Sequence, residues 1–126
     1  MKYPLPSLCA LIRNQRNEIL IQVEGERYRL PGGRLEGGST WLESLSASLL
    51  GVGVRGGESE LLGVYTELEP LDEFSPLTVV FTVTGADVEL KPGCRWIDPQ
   101  SEEHALRRDD RIKCQDMLTG ERPFSR

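Results

Sequence analysis

A glycine-rich segment in the first third of the chain constrains the fold more than any other sequence feature. Four of the nine residues in Pro31–Ser39 are glycine, at positions 32, 33, 37 and 38. Because glycine has no Cβ, it adopts positive φ angles without strain and lets another group approach the backbone closely. The segment therefore predicts a loop that either turns sharply or packs tightly against a neighbouring element.

A short helix is predicted immediately after this loop. Thr40 and Glu43 have the spacing of a helix capping box, in which each residue bonds the backbone of the other. Leucines at positions 42, 45 and 49 recur with helical periodicity. Gly51 and Gly53 make continuation costly, at about 1 kcal/mol each relative to alanine, so we expect the helix to end near Leu50.

Runs rich in β-formers lie on both sides of this loop and helix. We predict strands at Leu8–Ile12, Ile19–Val23, Arg27–Leu30, Leu61–Leu68, Leu77–Thr84 and Cys94–Ile97. The polar residues at 14–17 between the first two runs predict a hairpin, and Gly85–Asp87 predicts a turn. Arg107–Leu118 predicts a closing helix. This order predicts an α+β fold in which helices cover a mixed sheet.

Length and charge exclude several classes of protein. With 126 residues, 28% charged and 38% hydrophobic, residues 1–126 are expected to form a single globular domain. The net charge is −5 and no block of Lys and Arg stands out, so we expect no nucleic-acid partner. Arg107, Arg108 and Arg111 are interspersed with acidic residues, which favours a solvated mixed-charge helix.

The cysteines and the absence of long apolar runs bear on the compartment. Cys9, Cys94 and Cys114 are odd in number and widely spaced, which indicates neither a disulfide framework nor a zinc site. The N-terminus has no apolar h-region and no segment is long enough to span a membrane. We therefore expect a soluble cytoplasmic protein in a reducing environment, with no membrane partner.

The loop and helix resemble the box of the Nudix hydrolases, G-x5-E-x7-R-E-U-x-E-E-x-G-U, where U is a bulky aliphatic residue. The matching segment reads LPGGRLEGGST over residues 30–40. The resemblance covers nearly the whole chain, since Arg95–Pro99 is similar to the tryptophan-containing strand and turn before the last helix of many members. It implies an α/β/α sandwich with a mixed sheet, and divalent-metal hydrolysis of a nucleoside diphosphate linked to another group.

The chain departs from the family where the chemistry resides. Family members hold Mg²⁺ with glutamates on one helix face, because Mg²⁺ prefers oxygen ligands in octahedral geometry. When Gly33 is aligned with the first glycine of the box, the glutamate positions fall on Ser39, Ser48, Gly51 and Val52, the arginine position falls on Ala47, and only Leu49 keeps its type. No carboxylate lies between Ser44 and Arg55, with or without a gap. Hydroxyls and carbonyls alone rarely hold Mg²⁺ against its hydration shell.

Two hypotheses follow for function, and they leave open whether the chain is an enzyme. In the first, the domain keeps the fold and a nucleotide-shaped cleft, lacks metal-dependent hydrolysis, and serves as a ligand-binding or regulatory module. In the second, it still hydrolyses a phosphoanhydride, with Mg²⁺ or Mn²⁺ held by Glu36 and by the acidic-loop residues Glu67, Glu69, Asp72 and Glu73. A solvated loop is the alternative interpretation of that acidic run.

The candidate site residues are drawn from the loop and the flanking strands. Glu36 is the catalytic candidate, because its glycine-rich turn can aim the carboxylate at solvent or at the pocket. The resemblance implies a ligand-binding set of Tyr28, Gly32, Gly33, Arg34 and Phe81. Tyr28 and Phe81 lie on strands that flank the substrate pocket in family members, and either can instead be core. No residue is assigned as a metal ligand.

Other residues have structural explanations. The capping box accounts for Glu43. Trp41 can stack on a base, although packing is the commoner role of tryptophan. His104 is the only histidine and has no nucleophile-elbow pattern nearby, which favours a surface position. The β-rich edges, together with the family resemblance, lead us to expect a homodimer.

Overall fold

The computed structural model describes residues 6–68 and 77–120. In chain order the elements are β1 (Ser7–Ile12), β2 (Ile19–Glu24), β3 (Arg27–Arg29), β4 (Gly32–Arg34), α1 (Trp41–Leu50), β5 (Val54–Arg55), β6 (Glu58–Thr66), β7 (Leu77–Thr84), β8 (Asp87–Val88), β9 (Cys94–Ile97) and α2 (Arg108–Thr119), with a 3-10 turn at Glu103–Ala105 before α2.

The main sheet has four strands in the order β4-β1-β7-β6. β1 runs parallel to β7, whereas β4 and β6 are antiparallel to their neighbours, so the sheet is mixed. Leu8, Ala10 and Ile12 of β1 pack into a core on the α1 side, and Cys9 and Leu11 pack into a core on the α2 side. Because both faces are covered, β1 is apolar from Leu8 to Ile12 rather than alternating.

The predicted hairpin between the first two strands is wrong. β2 lies in a separate sheet of order β3-β2-β9, and an isolated bridge between Arg13 and Ile19 joins it to the end of β1. The physical reason is that β7 pairs along the whole of one edge of β1 and β4 takes Ser7–Cys9 on the other, so β2 reaches β1 only beyond its end, at Arg13. The turn itself forms as expected, because the Asn14 side chain accepts the backbone N–H groups of Arg16 and Glu18.

The glycine-rich segment is partly a strand, which corrects the prediction of a loop over all of Pro31–Ser39. Gly32–Arg34 forms β4, and a turn follows before the helix. The expected close approach is present, because a Cβ on Gly32 would overlap the carbonyl oxygen of Leu8. Gly53 has a φ of +85° and lies equally close to the Glu89 carbonyl, so it is needed where β5 begins to pair with β8. The turn predicted at Gly85–Asp87 is shorter than expected, because β8 begins at Asp87.

The helix α1 agrees closely with the prediction. The Thr40 hydroxyl accepts the Glu43 N–H at 3.2 Å, and the Glu43 carboxylate accepts the Thr40 N–H at 3.0 Å, so the capping box is complete. These bonds lower the pKa of Glu43. Leu45 and Leu49 face the sheet, and the helix ends at Leu50 as expected.

The second helix packs on the opposite face of the main sheet. Cys114 and Met117 of α2 join Leu11, Tyr65 and Val80 in one core, whereas α1 contributes to the other. The expectation of an α+β fold, with helices on both sides of a mixed sheet, is therefore confirmed.

The thiols provide a first test of this packing. Burial raises the pKa of Cys9 from 9.0 to about 12 and also raises that of Cys114, whereas Cys94 is only partly buried. We expect one fast-reacting thiol in the native protein and three after denaturation, measured with a thiol reagent near neutral pH.

Because the thiols of the unfolded chain ionise at lower pH than the buried ones, the free energy of unfolding should fall as pH rises from 9 towards 12. Two fast native thiols would contradict this core.

Candidate functional site

The glycine segment and α1 meet through two serines. Ser44 is buried, and its hydroxyl oxygen accepts the Glu36 backbone N–H at 3.0 Å. The Ser48 hydroxyl occupies the space that a Cβ on Gly33 would need. These two contacts lie one helical turn apart and hold α1 directly on β4 and on the turn after it. The helix face turned toward the glycines is therefore uncharged and in close contact with them.

The structure brings most of the expected site residues together here. β4, which lies beside α1, is formed by Gly32, Gly33 and Arg34. Glu36 follows in the next turn and is exposed. Arg34 is also exposed, so a positive charge lies at this corner of the molecule. Only the backbone N–H of Glu36 is bound to α1.

Phe81 lies on the same side of the sheet but beneath another aromatic ring. It pairs with Ala10 in the sheet and is buried. The Trp41 ring stacks on it with centroids 4.3 Å apart and planes within 9°, and Trp41 remains 43% exposed. The packing role considered for Trp41 is thus present. A ligand approaching this face would meet Trp41 before Phe81.

Tyr28 lies in the other sheet, apart from these residues. Its hydroxyl donates to Glu102 Oε1 at 2.9 Å, and the Arg95 guanidinium lies 5.2 Å from the ring centroid. Arg95 also forms an ion pair with Glu102 at 2.7 Å. The hydrogen bond to Glu102 raises the pKa of Tyr28. The polar tip of Tyr28 is therefore engaged within the protein.

A buried ion-pair network is the feature that the sequence interpretation missed. Lys113 Nζ contacts Glu67 Oε1 at 2.5 Å and Asp110 Oδ1 at 3.1 Å. Arg107 Nε lies 3.2 Å from Asp110 Oδ2, and its Nη2 lies 3.5 Å from Glu67 Oε2. The prediction of a solvated mixed-charge helix is wrong for this face of α2, and Glu67 is buried rather than part of a solvated loop. The i, i+3 spacing of residues 107, 110 and 113, with opposite charges alternating, was the available signal.

Further hydrogen bonds join α2 to β6 and the residues after it. Asp109 accepts the Leu68 N–H at 3.0 Å, and Asp116 accepts the Tyr65 hydroxyl at 2.8 Å. Burial works against the charged form of Lys113, but the negative groups around it outweigh burial and raise its pKa. A small cavity of about 140 Å³ with mostly apolar walls lies beside the network, between Tyr65, Leu68 and Ile112.

The described residues do not fit the divalent metal that the family resemblance implies. Within 6–68 and 77–120, no three His, Cys, Asp or Glu side chains come together as a metal site. Glu43 caps α1, and Glu67 is bound to two cations. Glu36 would be a single carboxylate beside neutral serines, fewer oxygen ligands than Mg²⁺ prefers. Glu69, Asp72 and Glu73 lie outside the described residues.

His104 occupies an exposed position in the 3-10 turn, as expected for a surface histidine. No helix in the described parts of the chain is long and apolar enough to cross a membrane.

Several solved structures of MutT and Nudix proteins superpose on the described fold. The MutT protein from Bacillus halodurans superposes with a TM-score of 0.78 at 16% identity, covering 96% of this chain and 86% of that one. A MutT NUDIX hydrolase from Burkholderia pseudomallei gives 0.74 at 15% identity, covering 90% and 98%. A UDP-X diphosphatase gives 0.72 at 18% identity, covering 99% and 68%. No protein-family model and no curated protein sequence matches the chain. The likenesses show the Nudix fold.

The ion-pair network yields a stability prediction. Lys113→Met keeps the apolar stem but leaves Glu67 and Asp110 buried without the ammonium, so we expect a loss of about 3–5 kcal/mol in the free energy of unfolding. Arg111→Met on the exposed side of α2 is the matched control and should change it by less than about 0.5 kcal/mol. Urea denaturation measures both values. Equal effects of the two substitutions would mean that the network contributes nothing specific.

Proposed function

We propose that this chain, which has the Nudix fold, binds a nucleotide-like small molecule as a ligand-binding or regulatory module and does not carry out metal-dependent hydrolysis. The observation that supports this proposal most directly is the contact between α1 and the glycine segment. Ser44 and Ser48 stand on the helix face that meets this segment, and both are engaged in packing the helix against it.

The chemistry of that face explains why hydrolysis is not expected. Metal-dependent phosphoanhydride cleavage needs ions that neutralise the phosphates and help deprotonate a water molecule. Such ions need several carboxylates on one surface. In the resembling family the box supplies them, whereas here the Ser48 hydroxyl already fills the space above Gly33. Position 48, where the aligned box has a glutamate, therefore supplies a hydroxyl and no carboxylate.

The same corner retains features suited to binding. Arg34 is exposed on β4 and supplies a positive charge, and guanidinium groups bind phosphate through charge-assisted hydrogen bonds. The exposed part of the Trp41 ring is held in one orientation by its stack on Phe81. A fixed aromatic ring binds a planar ring with little loss of side-chain entropy. One structural neighbour is a UDP-X diphosphatase, which makes nucleoside diphosphates the first ligands to test.

The alternative is an active hydrolase with a rebuilt metal site. Glu36 is exposed. Its backbone N–H bonds Ser44, and its carboxylate forms no hydrogen bond or ion pair within the described residues. Glu67, however, is buried and paired with Lys113 and Arg107, so recruiting it would leave two buried cations short of a partner. The ion-pair network therefore weighs against this second candidate.

The two candidates are separated by metal binding and turnover. We expect isothermal titration with Mg²⁺ or Mn²⁺ to show no tight binding, and a phosphate-release screen over nucleoside diphosphate derivatives to show no turnover at high protein concentration. Glu36→Gln and the matched exposed control Glu26→Gln should both match the wild type. Turnover that Glu36→Gln abolishes and Glu26→Gln preserves would establish the enzyme instead.

Ligand binding has its own test. A ligand of the folded state present at 100 times its Kd raises the free energy of unfolding by about 2.7 kcal/mol, which a thermal shift detects. We expect such a shift with a member of a nucleotide and sugar-nucleotide library, without turnover. Arg34→Ala should weaken binding about tenfold, whereas Arg27→Ala, exposed in the other sheet, should not. If no library member shifts the melting temperature, the ligand-binding proposal fails and a purely structural or partner-binding role replaces it.

A further inference from the structure

The side of the main sheet that carries α2 is polar at one end. Thr82 of β7 lies between Leu11 of β1 and Glu60 of β6. Leu11 packs in the core beneath α2, and residues directly opposite one another share a face of the sheet. Thr84 is two residues further along β7, so it lies on the same side, opposite Glu58. Two rows of polar side chains therefore follow the apolar core on this side.

A cavity of about 500 Å³ lies over these rows. Cavities of roughly 300–1,000 Å³ are typical of sites for small molecules. Met117, near the end of α2, is the one apolar lining residue. The residues that matter for its chemistry are Arg13, Glu58, Glu60, Thr82, Thr84 and Met117.

Arg13 brings an unsatisfied donor to the cavity wall. Its backbone N–H donates to the Val83 carbonyl at 2.9 Å, and its Nη2 donates to Asn17 Oδ1 at 2.7 Å, so both ends of the residue are held. Its Nε is buried and has no hydrogen-bond partner in the part of the chain that the structure describes. A buried donor without a partner is unfavourable, so an acceptor bound at this guanidinium would be favoured.

The opposite charge lies across the sheet from Arg13. Arg13 continues the line of β1, and Glu58 is on β6, two strands away, which is a separation of about 10 Å between strand axes. Glu58 is exposed, and its carboxylate forms no hydrogen bond or ion pair with residues 6–68 or 77–120. The cavity therefore has a cationic end and an anionic end, with the Thr84 hydroxyl between them.

These two ends select the charge of a ligand. A simple anion at Arg13 would lie near the Glu58 carboxylate, and a simple cation at Glu58 would lie near the guanidinium. A molecule with a carboxylate and an ammonium close together places each charge beside its opposite. Both contacts are then charge-assisted hydrogen bonds, which are stronger than neutral ones.

We propose that this cavity binds an α-amino acid, whose carboxylate accepts from Arg13 and whose ammonium donates to Glu58. The Thr84 hydroxyl lies between these contacts and can bond either group. The site is distinct from the nucleotide site proposed above, because Trp41 stacks on Phe81 in the core on the other side of the main sheet. The two proposals therefore stand or fall separately.

Ligand analogues test the charge requirement. We expect at least one of the common α-amino acids, at millimolar concentration, to raise the melting temperature. The amine that lacks its carboxylate and the carboxylic acid that lacks its ammonium should not, because each loses one end of the cavity. No shift with any amino acid, or equal shifts with either analogue, would overturn the proposal.

Variants locate the site. Arg13→Met and Glu58→Gln should each weaken binding of that amino acid by about tenfold or more in isothermal titration. Arg16→Met and Glu26→Gln are the matched controls, since both residues are exposed and neither lines the cavity. Circular dichroism checks folding, and Glu58→Gln decides the matter if Arg13→Met does not fold. Equal effects of the cavity and control variants would contradict the site.

A crossed experiment separates this site from the proposed nucleotide site. Arg34→Ala should leave amino-acid binding unchanged, and Glu58→Gln should leave any nucleotide-induced thermal shift unchanged. Loss of amino-acid binding in Arg34→Ala, with Glu58→Gln unaffected, would place the ligand at the other corner and overturn this inference.

Discussion

Two glycines on β4 allow the main sheet and α1 to come together. Gly32 lies against the Leu8 carbonyl of β1, and Gly33 lies beneath Ser48 of α1. A side chain at either position would separate β4 from β1 or lift the helix from the strand. The position of α1 then determines where Trp41 covers Phe81. The candidate ligand site depends on this packing.

The opposite face of the sheet is held together differently. α2 buries Cys114 and Met117, and it also buries four charged residues, Asp109, Asp110, Lys113 and Asp116. Buried charges are unfavourable unless each finds partners. Arg107 and Glu67 supply them for Asp110 and Lys113, whereas Asp109 accepts the Leu68 N–H and Asp116 accepts the Tyr65 hydroxyl. Such a network tolerates little displacement, because moving one charged side chain leaves another buried without its ion-pair partner. It therefore fixes the position of α2 relative to the end of β6 more narrowly than apolar packing would.

Features that depend on local chemistry were predictable from the sequence. The capping box of Thr40 and Glu43, the end of α1 at Leu50 and the close approach at the glycines all follow from single residue types. The α+β class followed from the order of the elements. The hairpin failed because strand pairing depends on which other strands compete for an edge, and β4 and β7 were the competitors. The burial of α2 was missed because the spacing of charged residues does not show whether their side chains are solvated by water or paired with one another.

The serines at positions 44 and 48 connect stability with function in this fold. A cluster of carboxylates on α1 repels itself and needs bound cations, whereas serine hydroxyls pack against the glycine backbone and accept a hydrogen bond from the Glu36 N–H. The uncharged face therefore lets the helix pack on β4 without any ion. The exposed side chains at this corner are Arg34, Glu36 and Trp41. In the proposed ligand-binding role, Arg34 supplies a charge and Trp41 a planar surface for the ligand.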